Sequence, residues 1–276
     1  MNMSLDPSTK KQLASRWLLF IGIGERGSAA LKVSQEKQLK MAISQDVINR
    51  ASNVGEGGFL EKLEEAAAII CLVDLRDQDI IEQLRHVIAN KPQESFVVVL
   101  VAIHQSLSEK DKDCISRLRT MSDSLIAFSV NDERDYAIEL RLAEALHGLH
   151  LPLTQPAMMG MDFEDWKGVL KNSIGVFVST VVRGEEWVKL ASEYMFCGLG
   201  ADDLMQVRSV LWCISCGEKI TMNEIEDSIR YLKSNLEKDV QILFNAPVVV
   251  SLQPRECRIY GECMGFSLDH LFAIFG

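Results

Sequence analysis

No apolar run in this sequence is long. The two longest, "FVVVLVAI" from Phe96 and "AAAIICLV" from Ala66, fall far short of the roughly 20 residues that span a bilayer. The opening "MNMSLDPSTKKQ" lacks the apolar core of a signal peptide. Basic residues are in the minority, 29 Lys and Arg against 39 Asp and Glu, and they form no cluster. A net charge of −10 gives no attraction to a phosphate backbone or an anionic lipid surface, so neither nucleic-acid binding nor direct membrane insertion is expected. The seven cysteines are odd in number and scattered, which argues for reduced thiols and a cytoplasmic protein. Histidine is scarce too: His86, His104, His147, His150 and His270 stand apart and make no acid–base constellation.

What is present is a globular composition. The 276 residues are 47% hydrophobic and 25% charged, enough for one large domain or two of ordinary size. Nearly continuous apolar segments near 17–23, 66–74, 95–103 and 124–130 read as strands of a parallel sheet covered on both faces. Helical segments fit between them. One opens with Ser106 and Glu109 in capping-box spacing, and a long helix is expected from Asp132 to Leu151. Pro152, Pro156 and Gly160 then break the pattern. Beyond the break we expect a helix from about 163, a strand at 207–216, and a helix capped by Thr221 and Glu224 with Ile225, Ile229, Leu232 and Leu236 on one face. Strands at "VQILFNAP" and "CRIYGECMGF" follow. The pair Cys213-x-x-Cys216 lies within the strand at 207–216, where residues three apart point to opposite faces, so buried structural cysteines are expected rather than a metal site.

The stretch that bears on chemistry is "WLLFIGIGERGSAALKV", Trp17 to Val33. An apolar strand runs into Gly22, Gly24 and Gly27 in G-x-G-x-x-G spacing, and a helix start follows at Ser28. The unpaired N–H groups of such a helix end suit an anion. The same glycines equally make a tight strand-to-helix turn with no ligand. A dinucleotide-binding reading would place Asp46, some 20 residues on, against a ribose, but no catalytic His or Tyr-Lys arrangement accompanies it.

The second half carries a resemblance. "LTQPAMMGMDFEDWKGVLKNSIGVFVSTVVRGEEWVKLASE", residues 153–193, is similar to the region of FtsZ, the bacterial tubulin homologue, that begins at the synergy loop and enters the second domain. "VRSVLWCISCGEKITMNEIEDSIRYLKSNLEKDVQILF" resembles that family's strand, capped helix and following strand, and "CISRLRTMSDSLIAFSVND" resembles the stretch ahead of its central helix. With the glycine turn, the likeness touches most of 17–266 and is strongest after 153.

The resemblance implies an α/β, FtsZ/tubulin-like fold. An N-terminal extension would occupy 1–16, a GTPase-like parallel-sheet domain 17–131, the central helix 132–151, and a smaller α+β domain 152–276. GTP or GDP is the ligand it would supply, held by Gly22, Gly24, Gly27 and Ser28; no cofactor follows from the residues themselves. In that family the next subunit's synergy loop, N-x-D-x-x-D, completes the hydrolytic site. Here Gly160 replaces the asparagine, while Asp162 and Asp165 match. These acids would act in trans on the attacking water, or they would only complement the positive end of the helix they open.

The first domain departs from the pattern. The family's second phosphate loop reads G-G-G-T-G-[TS]-G; the corresponding stretch here is Val73-Asp74-Leu75-Arg76-Asp77-Gln78-Asp79, without a glycine and with three acids. Glu25 and Arg26 stand where the first loop carries further glycine, and Met41 to Ala66 is short for the family's intervening loops. The expectation is therefore a cytoskeletal or scaffold protein with a degenerate nucleotide site. It would associate head to tail with itself or an FtsZ-like partner and be at most a weak GTPase. The alternative is a divergent, weakly hydrolysing GTP-binding protein. Because the chain stops at "LDHLFAIFG", the family's adaptor-binding tail is not expected.

Overall fold

The computed structural model describes residues 18–40, 51–53, 59–104, 106–130, 135–154, 157, 160–184, 186–188, 190–191, 199–217, 220–248, 252 and 256–276. Asp46, Asp132 and Pro156, named above, lie outside the described residues, as does one of the seven cysteines, Cys197.

The first half alternates strand and helix. In order come β1 (Leu18–Ile23), α1 (Gly24–Lys40), β2 (Ala51–Asn53), α2 (Phe59–Glu64), β3 (Ala68–Asp74), α3 (Ile80–Asn90), β4 (Phe96–His104), α4 (Glu109–Met121), β5 (Ser124–Val130) and α5 (Asp135–Thr154). The second half contains α6 (Phe163–Leu170), β6 (Ser173–Arg183), α7 (Ala201–Leu204), β7 (Ser209–Cys216), α8 (Met222–Ser234), β8 (Gln241–Asn245), β9 (Glu256–Met264) and α9 (Leu268–Phe275). The nine strands of the described residues join one sheet in the order β2-β1-β3-β4-β5-β6-β9-β7-β8. Neighbours from β2 through β6 run parallel, β7 and β8 are parallel to each other, and β9 is antiparallel to both β6 and β7.

The four continuous apolar segments form strands because both sheet faces are covered. Leu19, Ile21 and Ile23 of β1 share a core with Leu63 of α2, Leu84 of α3 and Ile115 and Leu118 of α4. Leu18 and Phe20 point the other way, into a core with Ala30 and Leu31 of α1, Leu142 and Leu146 of α5 and Trp166 of α6. The same alternation separates Cys213 from Cys216. Each is fully buried, in opposite cores, and burial pushes the Cys216 thiol up to about 11.

Three local expectations change. Helix α4 is capped by Ser108 rather than Ser106, with the Asp111 carboxylate accepting the Ser108 N–H at 3.0 Å. "SLSEKD" contains two overlapping boxes; the buried Leu107, whose N–H donates to the Phe275 carbonyl at 3.3 Å, selects the second. Pro152 does not end α5, which continues to Thr154. A proline this close to a helix end forfeits a single ladder bond, and the Asn245 side-chain amide donates to the Pro152 carbonyl at 3.4 Å. Strand β6, the longest, is absent from the sequence expectations. It follows α6 through Lys171 and Asn172 with no Gly or Pro to mark the turn, because Asn172 itself takes the left-handed conformation at φ 57°. Thr221 and Glu224 cap α8 as expected, the Glu224 carboxylate accepting the Thr221 N–H at 2.8 Å.

Candidate functional site

Strand β1 sits between β2 and β3, so the chain leaves it to one side and later returns to the other. In open α/β sheets such a reversal opens a crevice at the carboxyl ends of the strands, where ligands bind. The glycine turn lies there. Helix α1 starts directly at Gly24, four residues before Ser28, so Glu25, Arg26 and Gly27 form its first turn. The Ser28 hydroxyl donates back to the Gly24 carbonyl at 2.6 Å.

Each glycine has a steric reason. Gly24 holds φ 78°, and a Cβ there would collide with the Asp77 carboxylate. A Cβ on Gly22 would come within 2.6 Å of the Ser28 backbone nitrogen, and one on Gly27 would strike the Leu72 carbonyl of β3.

Three of the N–H groups at this helix end, those of Gly24, Arg26 and Gly27, already have acceptors. Asp77 Oδ2 accepts from the Arg26 N–H at 3.0 Å and the Gly27 N–H at 3.3 Å, while Gln83 Oε1 from α3 accepts the Gly24 N–H at 3.0 Å. The Arg26 guanidinium lies 3.7 Å from Asp77 Oδ1, and the Asp77 side chain is only 4% exposed. Burial pushes the Asp77 pKa up, opposed by the hydrogen bonds from Gly27 and Arg26.

Asp74, at the end of β3, is fully buried and engaged differently. Arg76 donates to both its oxygens, Nε to Oδ1 at 3.2 Å and Nη2 to Oδ2 at 3.0 Å, and its backbone N–H adds a bond of 2.9 Å. His104 Nε2, at the end of β4, lies 3.2 Å from Oδ1. Burial alone would raise the Asp74 pKa, but the bonds from His104 and Arg76 outweigh it and hold the carboxyl at about 2. The third acid of the loop, Asp79, takes the left-handed conformation at φ 57° without glycine and leads into α3. Around these residues lies a cavity of about 560 Å³, lined by Gly24, Glu25, Arg26, Arg76, Asp77, Gln78 and Gln83.

Asp162 and Asp165 lie elsewhere. Asp162 is the N-cap of α6, its Oδ1 accepting the Asp165 N–H at 2.8 Å, and both acids are exposed. Trp166 anchors this helix. Its indole N–H donates to the Leu149 carbonyl at 3.0 Å, and its ring packs edge-on against Phe96, the first residue of β4, at 5.9 Å. Helix α6 thus stands at the amino ends of the strands and the glycine turn at their carboxyl ends. Within one subunit the two groups of predicted residues do not meet. The Asp77–turn contact was missed in the sequence because its partners are 50 and 51 residues apart.

No family model matches the sequence, and no curated protein matches it. Solved structures do match. An FtsZ dimer from M. jannaschii superposes with a TM-score of 0.70 at 16% identity over 95% of this chain and 93% of that chain. The GTPγS-bound protofilament of CetZ2 from Haloferax volcanii gives 0.64 at 12% identity, covering 93% and 96%. GDP-bound monomeric CetZ1 from the same organism gives 0.66 at 9% identity, covering 94% and 98%. Identities this low with such coverage speak to architecture, and the chain has an FtsZ/tubulin-like α/β fold.

Proposed function

We propose that the protein is a cytoskeletal or scaffold component that associates head to tail, with itself or with an FtsZ-like partner, and does so without a nucleotide. One observation carries this reading: three backbone donors of the glycine turn, those of Gly24, Arg26 and Gly27, where a phosphate would be held, are taken by Asp77 and Gln83. A polyphosphate does not fit this arrangement. It would have to displace Asp77, whose carboxylate repels it, while Arg76 is committed to Asp74. No hydrolytic step is therefore assigned to the chain.

Association is supported by the fold and by one surface. A similar structure, CetZ2, is a protofilament. Asp162 and Asp165 are exposed at the end of the sheet opposite the glycine turn, and a head-to-tail contact joins two such unlike ends. The two acids are read as interface residues.

Sedimentation of the purified protein, alone and mixed with FtsZ, with and without GTP, tests the proposal. We expect association in at least one of these samples and no change when GTP is added to the protein alone. A melting temperature that rises with GTP or GDP would overturn the nucleotide-free reading, since a ligand that binds the native state must stabilise it.

A further inference from the structure

We infer that Asp77 is a tethered anion: its carboxylate fills, from within the chain, the place that the amino end of α1 offers to a phosphate. The inference deepens the proposed function and rests on its reading of the site. A helix start presents unpaired N–H groups and a partial positive charge, and an oxyanion satisfies both. Asp77 does this with one oxygen shared between the Arg26 and Gly27 N–H groups, under the Arg26 guanidinium, with 4% of its side chain exposed.

The loop is built to deliver that carboxylate. Asp74, locked by Arg76 and His104, fixes its start, and the Asp77 N–H donates to the Asp74 carbonyl at 2.9 Å, closing a turn that aims residue 77 at α1. Gly24 is needed by the same contact, because any side chain there would occupy the space of the Asp77 carboxylate. The glycine turn thus retains the geometry of an anion cradle and uses it for an acid of its own. The consequence is regulatory. This end of the molecule is ordered by a residue that is always present, so its shape does not depend on the supply of a nucleotide.

The test is chemical rescue in the full chain. Asp77→Ala should lower the melting temperature by roughly 5 °C, the scale of losing a charge-assisted hydrogen bond in a chain of this size. Millimolar pyrophosphate should restore most of that loss in the variant, sodium chloride of equal ionic strength should not, and pyrophosphate should leave the wild type unchanged. An unaltered melting temperature in Asp77→Ala, or a loss that pyrophosphate does not recover, would overturn the tether while leaving the nucleotide-free reading intact. Stabilisation of the wild type by GTP would instead overturn that reading. If Asp77→Ala does not fold, Asp77→Ser decides: it too withdraws the carboxylate from the Arg26 and Gly27 N–H groups, and it should melt below wild type and recover with pyrophosphate. Melting at the wild-type temperature would show that the charge is not what holds the turn.

Discussion

Gly148 of α5 stands against the carboxylate of Glu262 on β9: a Cβ at position 148 would lie 2.6 Å from Glu262 Oε1 and 2.9 Å from the Tyr260 Cβ. Glu262 is completely buried between Phe177 of β6 and Leu211 of β7, and neither of its oxygens has a hydrogen-bond partner among the described residues. Burial pushes its pKa well above the ordinary carboxylate range. Burial thus favours the neutral form of this acid where the long helix crosses the second half of the sheet.

That arrangement sets a pH dependence. A carboxyl whose folded pKa is raised contributes stability that is fully present below its unfolded pKa and is lost as pH rises toward the folded value. Urea unfolding of the wild type should show stability falling above about pH 4.5 by up to about 1.4 kcal/mol per pH unit from this group. Glu262→Gln should remove that component and be the more stable protein at neutral pH. Parallel pH profiles for the two proteins would contradict the assignment.

Position 148 has no room for growth. Gly148→Ala should destabilise by about 1–3 kcal/mol, the usual cost of overpacking a filled core, measured by the same unfolding experiment.

Gly24→Val should damage folding rather than ligand affinity. A β-branched residue at φ 78° is strained, and its Cβ would collide with Asp77, so a loss of at least about 2 kcal/mol is expected. A variant of wild-type stability that had lost nucleotide binding would show the turn to be a ligand site.

GTP turnover should be negligible. Phosphate release measured across a range of protein concentrations should stay at the buffer rate. A steady rate that climbs with concentration and vanishes on changing Asp162 or Asp165 would restore the enzyme reading.

For the association surface, Asp165→Lys is the cleaner probe. Asp162 caps α6, so reversing it also removes a cap and costs about 1 kcal/mol of helix stability. Asp165 is exposed and its side chain is not needed for that cap. Sedimentation velocity of Asp165→Lys should show weaker association than wild type through the altered charge match, with monomer stability lowered by no more than about 1 kcal/mol through the helix dipole. Identical sedimentation in every mixture would leave the acids as helix-terminal charges alone.

Much of this molecule is written locally. The apolar segments become β1, β3, β4 and β5, Thr221 and Glu224 cap α8, and Asp162 opens α6, because strand burial and helix capping depend on residues within a few positions of one another. The order of motifs along the chain further pointed to the FtsZ/tubulin-like fold. Where two local signals competed, as with Ser106 and Ser108, the burial of Leu107 against the far end of the chain chose between them. Strand β6 went unread because Asn172 turns the chain without the glycine that would have announced it. The site was the least legible part. In sequence, Asp74, Asp77 and Asp79 are three acids facing a glycine turn; in the fold, Asp74 is held by Arg76 and His104, Asp77 accepts from the turn itself, and Asp79 supplies the left-handed step. Whether an acid repels a ligand or replaces one depends on which donors lie within about 3 Å of it. The donors to Asp77 lie in the helix turn that follows β1, a neighbour of β3 in the sheet but 50 and 51 residues away in the chain, and only the tertiary structure brings them together.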